Sequence, residues 1–149
     1  MTQSSAPLAP VRFSDEEVDR YARQLVLSEI GGPGQQALKR ARVLIVGMGG
    51  VGNPAALYLA AAGVGTLRII DGDVVSLSNL QRQILFDTAD IDRPKVEAAA
   101  AGVHRINDRV AVRPVEGYVT EENALELLER YDVIVDCTDH AASRRVLAR

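Results

Sequence analysis

Four glycines fall within six residues, Gly47-Met48-Gly49-Gly50-Val51-Gly52, between the apolar run Val43 to Val46 and a stretch of helical periodicity. Glycine there lets the backbone turn tightly, lets a phosphate approach closely, and aims the amides of a helix N-terminus at negative charge. A strand before the turn and a helix after it turn a weak glycine triplet into the phosphate-binding turn of a Rossmann-type nucleotide domain. The rest of the chain agrees with this frame. Apolar runs at Val43 to Val46, Leu67 to Ile70, Val110 to Val115 and Val133 to Cys137 alternate with helical patterns, which predicts parallel strands buried on both faces between crossover helices. The expected fold is α/β, a doubly wound and mostly parallel sheet.

Ahead of the sheet the chain reads as a helical arm. Residues 1–12 are small, polar or proline-rich without periodicity and are expected to be a disordered leader, with the folded domain over 13–149. Ser14 followed by Glu17 is a capping-box pattern, so a helix starts there with Val18, Tyr21, Ala22 and Leu25 on its apolar face, and Gly31-Gly32-Pro33-Gly34 ends it. After the glycine turn, Ala55, Ala56, Leu59 and Ala62 mark a buried helix face. Val96, Ala99, Ala100 and Val103 do the same after Pro94. Thr120 reads as the N-cap of a helix that packs through Ala124, Leu125 and Leu128.

Bulk properties exclude several classes of function. A formal charge of −3 and a pI near 5.4 offer no basic excess for nucleic acid or an anionic membrane. The single cysteine excludes an internal disulfide or a multi-cysteine zinc site, and His104 and His140 lack companion ligands. No segment is long and apolar enough to span a bilayer, and a reducing, cytoplasmic setting is expected.

The residues that carry chemistry gather after the strands. Asp71 closes the second apolar run about twenty residues beyond the glycines, where an acid commonly accepts hydrogen bonds from ribose hydroxyls. Asp73 either orients a nearby cation or is solvated. The long polar insertion Ser76 to Gln83 brings Asn79 and Arg82, an amide and a planar guanidinium fork suited to phosphate oxygens. Lys95 adds a point charge at a helix start, where a cation opposes the helix dipole and makes sense if an anion occupies the site. Asp139 follows the fourth strand at the sheet edge where ligands of open α/β folds collect. Carboxylates facing a triphosphate repel it unless a divalent cation intervenes, so Asp139 is expected to share magnesium with the phosphates. Cys137 reads as a small core hydrophobe rather than a nucleophile.

Taken in order, Arg20-Tyr21-Ala22-Arg23-Gln24, the glycine turn, Asp71-Gly72-Asp73, Ser78-Asn79-Leu80-Gln81-Arg82-Gln83, Arg93-Pro94-Lys95-Val96 and Asp136-Cys137-Thr138-Asp139 resemble the ThiF/MoeB/HesA family, relatives of the ubiquitin-activating enzymes. The resemblance runs from Phe13 onward and covers the N-terminal part of the family domain, so the chain is expected to be truncated relative to it. It implies an adenylyltransferase that uses ATP and magnesium to activate the C-terminal Gly-Gly carboxylate of a ubiquitin-like sulfur-carrier protein, releasing pyrophosphate. It sets Gly47, Gly49, Gly50 and Gly52 against the nucleotide and Asp71 on the ribose. Asp73, Ser78, Asn79, Arg82 and Lys95 complete the nucleotide-binding set, and Asp139 is the magnesium-associated acid. It matches Arg23 to an arginine that reaches the other subunit's ATP site in a homodimer. Where the family carries asparagine beside the acid, this chain has His140. The sulfur carrier would serve molybdopterin or thiamin biosynthesis or another sulfur-transfer route. Two other readings stand beside this one: an ATP-binding or dimerisation remnant without catalysis, and a nicotinamide-dependent oxidoreductase. The oxidoreductase leaves Asn79, Arg82, Lys95 and Asp139 unexplained.

Overall fold

A computed structural model describes residues 11–148. The leader expected over 1–12 lies outside the described residues except for Val11 and Arg12. Four parallel strands, β1 (Arg42–Val46), β2 (Thr66–Asp71), β3 (Ala111–Glu116) and β4 (Val133–Asp136), form one sheet in the order β3-β2-β1-β4. The order reverses at β1, and an open sheet leaves a crevice at such a point beyond the carboxyl ends of its strands.

The two central strands are buried on both faces, as their unbroken apolar runs predict. Val43, Ile45, Leu67 and Ile69 face α4 (Gly52–Ala62) and α5 (Lys95–Ile106), which cover one side through Ala56, Ala60, Val96, Ala99 and Val103. Leu44, Val46 and Ile70 face the other side, toward α6 (Ala124–Leu128) and α7 (Ala141–Leu147). The outer strands differ. β3 is largely exposed and accepts Pro114, which lacks a backbone donor and is tolerated at a sheet edge. On β4, Val133 and Ile134 are exposed, so burial on both faces fails for the edges.

The N-terminal arm departs from the expected single helix. It breaks at Tyr21 into α1 (Asp15–Arg20) and α2 (Ala22–Leu25). Ser14 and Glu17 do form the capping box. Of the four residues assigned to the apolar face, only Tyr21 is buried, because its ring lies where a side chain on Gly63 would otherwise be. Gly31-Gly32-Pro33-Gly34 does not close a helix; it is the first turn of α3 (Gly31–Arg40). Proline fits there because a first-turn amide needs no partner within the helix.

Two helix faces also rotate. In α4 the buried line runs through Asn53, Ala56 and Ala60 rather than Ala55, Leu59 and Ala62. α6 starts after Asn123 rather than Thr120, which turns its buried side to Ala124 and Leu127 and leaves Leu125 exposed. No helix among the described residues is long and apolar enough to cross a membrane.

Candidate functional site

A cavity of about 530 Å³ opens at the carboxyl ends of β1, β2 and β4, lined by Gly47, Gly49, Gly50, Asp71, Asp73, Asn79, Arg82, Gln83, Lys95, Tyr118, Cys137, Thr138, Asp139, His140 and Arg144 among others. That volume lies within the ordinary range of small-molecule sites, about 300–1,000 Å³.

The glycine turn forms one wall. Gly47 adopts φ +93°, a backbone conformation open to glycine but strained for other residues. Gly52 starts α4 so close to Gly47 that a Cβ on it would overlap the Gly47 carbonyl oxygen. A Cβ on Gly49 would meet nothing within 4 Å, so that position faces open space. No side chain caps α4, but Asn53 N bonds the Gly49 carbonyl at 3.1 Å and Pro54 carries no N–H, so the amides open to an anion at this end lie in the glycine turn before the helix.

Asp71 is buried and holds this turn in place: its Oδ2 accepts from Met48 N at 2.6 Å and its Oδ1 from Asp73 N at 2.8 Å. Each carboxylate oxygen keeps a second lone pair for a ligand hydroxyl.

Asp73 resolves toward orienting a cation. Its Oδ2 accepts from Lys95 Nζ at 2.8 Å and its Oδ1 from the Tyr118 hydroxyl at 2.8 Å. The Lys95 hydrogen bond, followed by the Tyr118 hydrogen bond, holds the Asp73 carboxyl below its ordinary pKa, and the same contact raises that of Tyr118. Lys95 is the first residue of α5 and is buried, with its own amide bonded to the Asp73 carbonyl at 2.9 Å. The anion that offsets a cation at this helix start is therefore already supplied by the chain.

Asn79 spends its Oδ1 on the Ser76 amide at 3.2 Å. Its amide group remains available as a donor. Arg82 is exposed, bonds the Ser78 carbonyl at 3.0 Å, and runs its stem against Gly50. Asp139 is exposed and lines the same cavity. The structure thus brings Gly47, Gly49, Gly50, Asp71, Asp73, Asn79, Arg82, Lys95 and Asp139 around one cavity.

Three predicted residues stand apart from its lining. Gly52 is buried behind the turn, the Ser78 hydroxyl bonds that of Ser76 at 3.0 Å, and Arg23 is exposed on α2. Cys137 is half-buried and packs partly against the core while also reaching the cavity, and burial pushes its thiol pKa up.

Several site residues carry little sequence signal. Tyr118 is signalled only by standing after Gly117 at the end of β3, and the tertiary fold alone brings it to Asp73. Arg144 donates from Nε to the Thr138 carbonyl at 2.8 Å, and the Thr138 hydroxyl accepts from His140 N at 2.9 Å.

Whether a metal fits is a matter of donor count. Among the described residues no group of three or more His, Cys, Asp or Glu side chains is placed to hold an ion. Asp139 offers one exposed carboxylate, which suits magnesium held jointly with phosphate oxygens rather than in a protein cage.

A doubly wound sheet with a glycine turn, strand-end acids and cations around a cavity at the switch point defines a Rossmann-type nucleotide-binding protein. More narrowly, the chain belongs to the ThiF family, whose model matches residues 21–149. It is 48% identical over 135 residues to the molybdopterin-synthase adenylyltransferase of Escherichia coli, covering 91% of this chain and 54% of that protein. The sulfur carrier protein ThiS adenylyltransferase of the same organism is 48% identical over 133 residues, covering 89% and 53%. Among solved structures, the E. coli tRNA N6-threonylcarbamoyladenosine dehydratase TcdA in complex with ATP matches with a TM-score of 0.86 at 30% identity, covering 92% of this chain and 56% of that one. The chain therefore spans about half the length of these bacterial relatives.

Proposed function

We propose that this chain is the nucleotide-binding part of an ATP-dependent adenylyltransferase that activates the C-terminal Gly-Gly carboxylate of a ubiquitin-like sulfur-carrier protein. The observation that carries the reading is the convergence of Arg82, Lys95 and the glycine turn on one cavity that also holds Asp71 and Asp139. Its relatives' names supply the reaction class, and a related fold has been solved with ATP.

In the proposed reaction a carrier carboxylate oxygen attacks the α-phosphorus, the bond to the β-phosphate bridging oxygen breaks, and pyrophosphate leaves. The nucleophile is already ionised at neutral pH, so no general base is required. Positioning and charge neutralisation do the work. The glycine-turn amides orient phosphate oxygens, Asp71 takes the ribose hydroxyls, and Asn79 donates to phosphate. Arg82 and Lys95 offset the charge that develops on the departing oxygens. Magnesium, when bound, supplies further charge neutralisation, and Asp139 is the side chain that would hold it.

In a homodimer, Arg23 would extend from α2 into the partner's site. Its exposure and position outside its own cavity support that role.

Carrier-dependent ATP–pyrophosphate exchange is the direct test, and Arg82→Ala should abolish it while weakening ATP binding. Unchanged affinity and exchange in that variant would remove Arg82 from the phosphate site. The exposed flank of β4 favours a second reading, a module that binds ATP and needs further sheet to act. ATP binding without exchange would select it, and tighter binding of NAD than of ATP would overturn both.

A further inference from the structure

At the start of α4, the side chain of Asn53 is wholly buried, and both of its donors and its carbonyl oxygen find partners. Nδ2 donates to Met48 O at 2.8 Å and to Gly49 O at 3.2 Å, and Oδ1 accepts from Leu85 N at 2.9 Å. Within a planar trans peptide, the carbonyl of one residue and the N–H of the next point in opposite directions. A side chain that draws the Met48 and Gly49 carbonyls inward therefore turns the Gly49 and Gly50 amides outward. Gly49 and Gly50 line the cavity, and among the described residues their amides make no hydrogen bond. Leu85, the third partner, follows directly on the segment in which the Asn79 carbonyl accepts from Arg82 N and Gln83 N.

We infer that Asn53 is a positioning residue for the nucleotide site. It fixes the glycine turn with two amides presented to phosphate and ties that turn to the segment carrying Asn79 and Arg82. The role rests on the reading of the cavity as an ATP site. Asparagine suits it because the carboxamide offers two donors and an acceptor without charge. Aspartate would lose both donors and bury a carboxylate, and serine would reach one carbonyl at most.

The fold supplies a matched control. Asn107 is equally buried and packs at the opposite end of α4, donating from Nδ2 to the Tyr21 hydroxyl and the Ala60 carbonyl while its Oδ1 accepts from Arg109 N. Asn53→Ala and Asn107→Ala therefore delete comparable hydrogen bonds, and only the first touches the site. Both are expected to lower Tm. Calorimetric titration with ATP and magnesium, well below either Tm, should give about a tenfold weaker Kd for Asn53→Ala and a value within about twofold of wild type for Asn107→Ala. Amide hydrogen exchange at Leu85 should accelerate only in the Asn53 variant. If Asn53→Ala does not fold, Asn53→Ser is read the same way.

ATP affinity within about twofold of wild type in a folded Asn53 variant would overturn the proposal, as would equal loss of affinity in the two asparagine variants. Wild-type protein that binds no ATP would instead overturn the reading of the cavity, and the inference with it.

Discussion

The two ends of α4 are built from the same materials and finished differently. Each carries glycines that permit close approach and a buried asparagine that ties the helix to its surroundings. At the carboxyl end, Gly63 has φ +86° and the ring of Tyr21 fills the space a side chain would take. α2 and α3 brace that end further, since Gln24 and Gln35 both donate from Nε2 to the Ala62 carbonyl, at 3.2 and 2.9 Å, and Lys39 of α3 pairs with the buried Glu17 of α1 at 2.6 Å. At the amino end the space beyond Gly49 stays open, no side chain caps the helix, and cations and carboxylates stand around a cavity. The chain supplies its own filler at one end and leaves the other to a ligand. Glycine content alone therefore does not mark a binding site; what matters is whether the fold fills the room that glycine leaves.

The sharpest break of this contrast is Gly52→Ala. Its new methyl would overlap the Gly47 carbonyl, and it should cost about 3 kcal/mol by thermal melting and abolish ATP binding. Gly49→Ala, three residues away, meets open space and should leave stability within about 0.5 kcal/mol while impairing phosphate approach. Equal losses of stability in the two would show that the amino end is as filled as the carboxyl end.

Lys95→Ala removes a buried cation from the open end and leaves Asp73 to repel phosphate. ATP affinity should fall by about thirtyfold, equivalent to about 2 kcal/mol, in calorimetric titration. At the filled end, Glu17→Gln should cost about 1 kcal/mol of stability, since Lys39 is partly exposed, and leave ATP affinity unchanged.

The pH dependence of that last difference has a definite sign. Burial alone would raise the Glu17 pKa, but hydrogen bonds from Lys39 and Ser14 bring it below its ordinary value. A carboxyl whose folded pKa is depressed contributes stability above its unfolded pKa, about 4.3, and loses it as pH falls through the lower folded value. Denaturant melts from pH 7 downward should therefore show the gap between wild type and Glu17→Gln closing in acid; a gap that widens would reverse the assignment. The smallest effect is expected for Tyr118→Phe, which removes one of two donors to Asp73. The Asp73 carboxyl should titrate at a higher pH by NMR, with stability little changed.

Much of the site could be read from local order. Gly47 to Gly52, Asp71 and Asp139 follow apolar runs and Lys95 opens a helix, and a parallel sheet gathers such positions at one edge, while Asn79 and Arg82 are marked by the polar insertion that carries them. Periodicity was less informative about the arm. The Gly31-Pro33 cluster looks like a stop, yet it opens α3, since a first helical turn needs neither side-chain packing nor a proline donor. Asn53 has no sequence signal because an asparagine among alanines carries no period or charge, and its three partners come from the turn before it and a segment some thirty residues on.

By itself the sequence determined that a strand, a glycine turn and a helix form a phosphate-binding unit, because backbone sterics and hydrophobic period act within a few residues of each other. Only the tertiary structure decided which cation meets which carboxylate. Lys95 lies on Asp73, with Tyr118 behind it, because strand order, not distance along the chain, brings β2, β3 and α5 to one edge. The same packing left one end of α4 hollow and filled the other with Tyr21, since the arm that supplies that ring reaches only one end of the sheet.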